Sequence, residues 1–189
     1  MWTIRDTCVI LVTAIVVHLL IVWQTPDWIM EAFERQLINN AKYGDNTACG
    51  ETYVNGVYYI DPKCMLKKDR GTMPNLDVLY TICFYQVDAN SDYMVTTNVP
   101  TEKNFWVTHV YEEDTTIAYY INNDDVEGEM TLQIARDNGE KNNKNVIEVT
   151  SSTNTGMVLI RAFYATEQEK KALDKERRKT RCYVQSLIN

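Results

Sequence analysis

The chain has 189 residues, 45% of them apolar and 11% aromatic, and a formal net charge of -7. That length suits one domain of ordinary size with a short appendage. The acidic balance argues against a nucleic-acid binder, which needs a basic face to neutralise phosphates.

Thr7 to Trp23 is an unbroken apolar run, bracketed by Trp2 before it and by Trp23 and Trp28 behind it. As a helix rising ~1.5 Å per residue it reaches ~26 Å, close to the ~30 Å hydrocarbon layer of a bilayer, with the tryptophans at the two interfaces. Residues 1–24 are therefore expected to be a single-pass membrane anchor. Val9, Leu11, Ile15, Leu19 and Ile21 would face lipid, and Trp2 and Trp23 would mark its borders. A secretory leader is the competing reading, but only Arg5 faces Asp6 in the leading region, and no small-residue cleavage site follows Trp23. A buried core helix fits less well, because the run lacks a polar stripe. Arg5 on one side and Arg35 and Lys42 on the other leave the orientation unspecified.

Thr25-Pro26-Asp27 has the form of a helix cap, a proline at the first helical position and an acid in the first turn. It predicts a second, amphipathic helix over residues 25–42. Ile29, Met30, Phe33, Leu37 and Ile38 form its apolar stripe, laid on the domain or on the membrane surface.

From Glu51 the pattern changes to short segments rich in Val, Ile, Thr, Tyr and Trp, punctuated by Asn, Asp, Gly and Pro. Strands are expected near Thr52 to Ile60, Val78 to Val87, Tyr93 to Val99, Phe105 to Tyr111, Thr116 to Ile121, Met130 to Ala135, Asn145 to Thr150 and Met157 to Tyr164. Asn55-Gly56 would form a two-residue hairpin turn. The polar stretch Arg136 to Lys144 is expected to be an exposed hairpin tip. The fold class is mainly β: residues 43–165 form an antiparallel β-sandwich or jelly-roll-like domain, with an N-terminal transmembrane helix and a C-terminal helix.

Thr166-Glu-Gln-Glu169 is a capping box, and it predicts a basic helix over residues 166–189. Lys170, Lys171, Lys175, Arg177, Arg178 and Arg181 crowd that helix. They read either as a solvated face or as a contact for anionic headgroups or an acidic protein partner.

Cys8 falls in the anchor, leaving Cys49, Cys64, Cys83 and Cys182 in the domain. No Cys-x-x-Cys spacing and a single histidine outside the anchor, His109, disfavour zinc. Disulfides are expected, with Cys49–Cys64 and Cys83–Cys182 favoured among three pairings and four reduced thiols as the alternative. The short bridge would stabilise by ~3 kcal/mol and the long one by ~4.7.

His109 lies in phase with Val107 and Tyr111 and reads as a strand histidine, with no evident nucleophile to activate. The acidic clusters Glu112–Asp114 and Asn122–Asp125 read as solvated turns, without the spacing of a calcium loop. No catalytic residue, metal or cofactor is expected.

Met73-Pro-Asn-Leu-Asp-Val-Leu-Tyr-Thr-Ile-Cys-Phe-Tyr-Gln-Val87 resembles the signature of the domain-of-unknown-function family twelve fifty-four. Tyr93 to Pro100, Phe105 to Tyr111 and Met157 to Arg161 are similar to further strands of that family, in its order. The resemblance implies a β-sandwich, cysteines like Cys83 and Cys182, and in short members an N-terminal anchor. It implies no reaction; Asn75, Asp77 and Tyr80 carry over only as a strand-entry motif.

Taken together, the sequence predicts a non-catalytic, membrane-anchored β-module, with the membrane and other protein subunits as partners and no small-molecule substrate. Its expected role is a structural or assembly subunit tethering a membrane to a protein shell, such as a minor capsid protein in a virion with an inner membrane. The alternative is an extracytoplasmic small-ligand-binding or accessory domain of an uncharacterised bacterial-type family, which would hold its ligand within the sandwich.

Overall fold

The computed structural model describes residues 4–43, 52–54, 56–60, 77–99, 105–126, 128–136 and 146–186. Helix α1 (Ile4–Tyr43) is followed by β1 (Thr52–Val54), β2 (Val57–Ile60), β3 (Val78–Gln86), β4 (Ser91–Val99), β5 (Trp106–Glu112) and β6 (Ile117–Asn122). Then come β7 (Gly128–Ala135), β8 (Val146–Thr150), β9 (Thr155–Phe163), helix α2 (Glu167–Arg177) and β10 (Arg181–Ser186). One sheet has the order β1-β2-β3-β9-β5-β6 and the other β10-β4-β7-β8. Neither sheet closes on itself, so the architecture is a sandwich rather than a barrel.

Strand periodicity builds the interior. Alternate residues of the larger sheet, among them Leu79, Cys83, Tyr85, Trp106, Val110, Val158 and Ile160, meet Val95, Met130, Leu132, Ile134 and Val149 of the smaller one in one buried cluster. Each such side chain contributes about 1.5–3 kcal/mol on burial. The intervening residues Tyr58, Ile60, Ile82 and Met157 point to the opposite, outer face, where they form a second cluster with Met30 of α1. That is why β2 and β3 read as nearly continuous apolar runs: both of their faces are covered.

Val54 pairs with Val57, leaving Asn55-Gly56 as the connection expected, and Gly56 adopts a φ of +84° that suits only a residue without Cβ. The capping box also forms, with the Thr166 side chain accepting from the Glu169 amide while the Glu169 carboxylate accepts from the Thr166 amide.

Three expectations are corrected. The helix expected over 166–189 ends at Arg177, and the chain re-enters the smaller sheet as β10, antiparallel to β4 from Arg181↔Thr96 to Ser186↔Ser91. Thr180, Tyr183 and Val184 favour strands, and an open edge on β4 outweighs the charge pattern that suggested a continued helix.

Thr25-Pro26 does not begin a new helix. α1 runs unbroken through Pro26, and the Thr25 hydroxyl donates 2.6 Å back to the Ile21 carbonyl. A proline removes only one helical hydrogen bond, and the helix carries Pro26 in place. The boundary expected at residue 24 therefore falls inside one element.

The polar stretch after β7 is not a hairpin tip, because β7 and β8 are parallel, from Thr131↔Val146 to Ala135↔Thr150. A parallel pair requires the chain to travel back along the strand before re-entering; polarity marks a segment as exposed but carries no strand direction. Residues 137–145 of that connection lie outside the described residues, as do Trp2, Cys49 and Cys64.

Candidate functional site

The apolar N-terminal segment and the part that packs on the domain share one helix, which changes its surroundings along its length. Val9, Leu11, Ile15, Leu19, Ile21 and Trp23 are all exposed. The segment Ile4–Arg35 has a mean hydropathy of 2.3 in its most apolar window, none of it buried, and is long and apolar enough to cross a membrane. Met30 is instead buried against Tyr58, Ile60, Ile82 and Met157. Phe33 meets Phe84 edge-on at 6.4 Å, and Phe84 meets Tyr58 at 5.8 Å. Of the apolar stripe expected on this segment, Met30 and Phe33 thus seat on the sheet, Ile29 is exposed, and the side chains of Leu37 and Ile38 lie outside the described residues.

The point of departure is defined. Gln24, Trp28, Gln86, Thr155 and Val184 line one groove of about 650 Å³, which places the emerging helix at the end of the sandwich where β3 and β10 finish. α2 packs at the other end: Leu173 and Arg177 share a void of only about 10 Å³ with Leu79, Thr97, Trp106 and Ala162. The seven residue steps of extended strand from Leu79 to Gln86 span about 24 Å. α2, with Lys171 and Lys175, is therefore on the pole remote from the emerging apolar helix.

At that pole much of the positive charge is absorbed internally. Arg177 is buried, donates to the carbonyls of Ile60 at 3.2 Å and Tyr80 at 2.7 Å, and pairs with Asp174 at 2.6 Å. Arg178 also pairs with Asp174, and Lys179 pairs with Glu176. Burial alone would raise the Asp174 carboxyl, but the hydrogen bonds and charges of Arg178 and Arg177 outweigh it and hold it below the usual range. The Lys170 ammonium sits 5.7 Å over the Tyr164 ring. Lys171, Lys175 and Arg181 are exposed. Arg178, Lys179 and Arg181 border an open groove of about 1020 Å³ with Tyr59, Thr96 and Asn98.

His109 lies on the outer face of the larger sheet, 8% exposed, stacked on Tyr111 at 5.7 Å and edge-on to Tyr120 at 5.0 Å. Arg161 of β9 places Nη2 3.1 Å from His109 Nδ1 and 3.4 Å from Nε2. Burial, and then the Arg161 charge, push the imidazole below its usual range. An arginine cannot accept a hydrogen bond, so the ring nitrogen facing it is unprotonated. Among the described residues no hydroxyl nucleophile or carboxylate bonds His109.

The acidic clusters occupy strand-connecting turns. Glu112 accepts from the Ser152 amide at 2.6 Å and from its hydroxyl, and Glu113 accepts from the Thr155 hydroxyl at 2.8 Å. Asp125 accepts from the Asn122 amide at 3.1 Å. These carboxylates pin turns, and among the described residues no three His, Cys, Asp or Glu side chains converge on a metal-sized site.

Residues 55–184 match the family model for a protein of unknown function, DUF1254. The chain belongs to the DUF1254 family. The VPA0106 protein of Vibrio parahaemolyticus shares this fold at a TM-score of 0.53 and 15% identity, over 80% of this chain and 35% of that one. A protein from Burkholderia cenocepacia aligns at a TM-score of 0.49 and 14% identity, over 71% of this chain and 36% of its own. This DUF1254 chain thus spans about a third of the length of the solved structures it matches. No curated protein matches it.

Two residues of consequence in the DUF1254 domain were not singled out as such by sequence. Arg161 carries a signal: it follows Met157 and Leu159 in phase on a strand whose neighbours are apolar, an unusual setting for a cation. Arg177 was grouped with the surface charges. Its spacing three residues after Asp174 hinted at a pair, but nothing local revealed the two carbonyls it reaches from afar.

Proposed function

We propose that this protein is a non-catalytic, single-pass membrane-anchored β-module that acts as an assembly subunit, holding a membrane to other protein subunits such as those of a virion shell. The observation that carries the reading is the continuity of α1: one helix bears an exposed apolar stretch of spanning length and, within two turns of it, the seated Met30 and Phe33. A helix fixed to the sheet at one end transmits the position of the bilayer to the domain, which a flexible linker would not do.

The remote basic pole supports a protein contact over a headgroup contact in that arrangement. Lys171 and Lys175 on α2 would stand about 24 Å beyond the emerging helix, farther than the roughly 8–10 Å over which an anionic bilayer attracts charge at physiological salt. An acidic surface of a neighbouring subunit is the partner chemistry that suits them.

The test is carbonate extraction and flotation of the full chain expressed in cells, combined with residue-specific crosslinking from Lys175. Retention in the floated membrane fraction with crosslinks to protein is the expected result. Replacement of Met30 and Phe33 by Asp should leave flotation intact while exposing the segment between anchor and sandwich to protease. Release of the wild-type chain into the carbonate supernatant would defeat the tether reading outright.

A further inference from the structure

We propose that Arg161 and His109 form a binding site for a small organic carboxylate on the outer face of the six-stranded sheet. Arg161 is flanked across the sheet by Tyr80 on β3 and Val107 on β5, neither of which carries charge. Its Nε is fully buried and has no hydrogen-bond partner. Among the described residues the guanidinium bonds only the His109 imidazole, and no carboxylate pairs with it.

The same protein shows what a guanidinium looks like when its role is purely structural. Arg177, which is buried where Arg161 is half-buried, is matched by the Asp174 carboxylate and two main-chain carbonyls, so its charge and its donors are accounted for. Arg161 is matched by neither. A desolvated donor left unpaired costs free energy, and a charge without a counter-ion costs more. An unsatisfied buried donor in a folded protein calls for an explanation such as strain, a functional role or an ion or water beside it, and the half-exposed guanidinium it belongs to is open to an anion from outside.

The surroundings select the class of ligand. A guanidinium offers paired donors in a plane that matches a carboxylate. The adjacent imidazole is unprotonated, so the site carries a single positive charge and balances a monoanion rather than a phosphate dianion. The rings of Tyr111 and Tyr120 packed around His109 supply aromatic surface for an apolar body attached to that carboxylate.

The experiment uses the full chain in non-ionic detergent micelles and follows the histidine Cε1–H resonances by NMR, His109→Gln identifying which of the chain's two histidines is which. Sodium acetate and sodium benzoate are titrated against sodium chloride at equal ionic strength. The His109 resonance should shift saturably with the carboxylates and not with chloride, benzoate binding the tighter of the two. Loss of a charge-assisted bidentate contact predicts an affinity roughly tenfold or more weaker in Arg161→Gln. Arg161→Lys preserves the charge but not the fork and should fall between the two, which keeps the comparison available if Arg161→Gln does not fold. A His109 resonance that follows the chloride control, or equal affinity in wild type and Arg161→Lys, would overturn the assignment.

Discussion

Cys83 on β3 and Cys182 on β10 are joined across the sandwich, their Cα atoms 6.3 Å apart and 99 residues apart in sequence. The bond ties the centre of the larger sheet to the edge strand of the smaller one. A loop of that length loses about 4.7 kcal/mol of unfolded-state entropy on closure, and removal of such bridges usually costs about 2–5 kcal/mol. Replacement of both cysteines by alanine should lower unfolding free energy within that range in denaturant titrations, and β10 should become the first protease-sensitive segment.

Arg177 anchors α2 to two strands by bonds that no other side chain could make from the same backbone position. Arg177→Met keeps much of the volume but leaves the carbonyls of Ile60 and Tyr80 short of a donor and Asp174 without one of its two partners. A loss of about 3–5 kcal/mol is expected, and Arg177→Lys should recover only part of it, since one ammonium cannot reproduce the fork.

Gly156 on β9 lies between Tyr85 of β3 and Glu112 of β5, its ladder partners in the larger sheet. A Cβ there would come within 2.2 Å of the Tyr111 carbonyl oxygen and 2.3 Å of the Tyr85 ring. The carbonyl is held in the β5 ladder and cannot withdraw cheaply, so Gly156→Ala should destabilise by about 1–3 kcal/mol or more. Thermal unfolding of the two proteins side by side checks this.

His109 makes stability depend on pH in a defined direction. Its imidazole is held below the ordinary value of 6.5 in the folded protein, chiefly by burial and then by Arg161. As pH falls below that value the unfolded chain takes up the proton first, so stability declines between the ordinary pKa and the lowered one and is flat above. Denaturation midpoints compared at pH 7.5 and about 5.5 should fall more in wild type than in His109→Gln.

Much of the fold was legible because its causes are local. Strand-rich composition and turn signals placed β1 to β9 to within a few residues, and Thr166 with Glu169 marked where α2 begins. What escaped depended on partners distant in sequence. β10 exists because β4 offers an edge and Cys83 a sulfur, and neither is visible from the lysines and arginines around it. The parallel pairing of β7 and β8 escaped for the same reason. At the candidate sites, the place of His109 on the same strand face as Tyr111 was foreshadowed by its phase with Val107 and Tyr111. Its contact with Arg161 required knowing that β5 and β9 are neighbours.

The strand order has a consequence for biogenesis. β4 is completed well before β10, the neighbour that covers one of its edges, and Cys182 follows Cys83 by 99 residues. At about 5–20 residues per second, the Cys83 thiol waits roughly 5–20 seconds for its mate to be translated. Through that interval an exposed ladder and a reactive sulfur stand open on the nascent polypeptide, so a chaperone that shields them would raise the yield of correctly closed molecules.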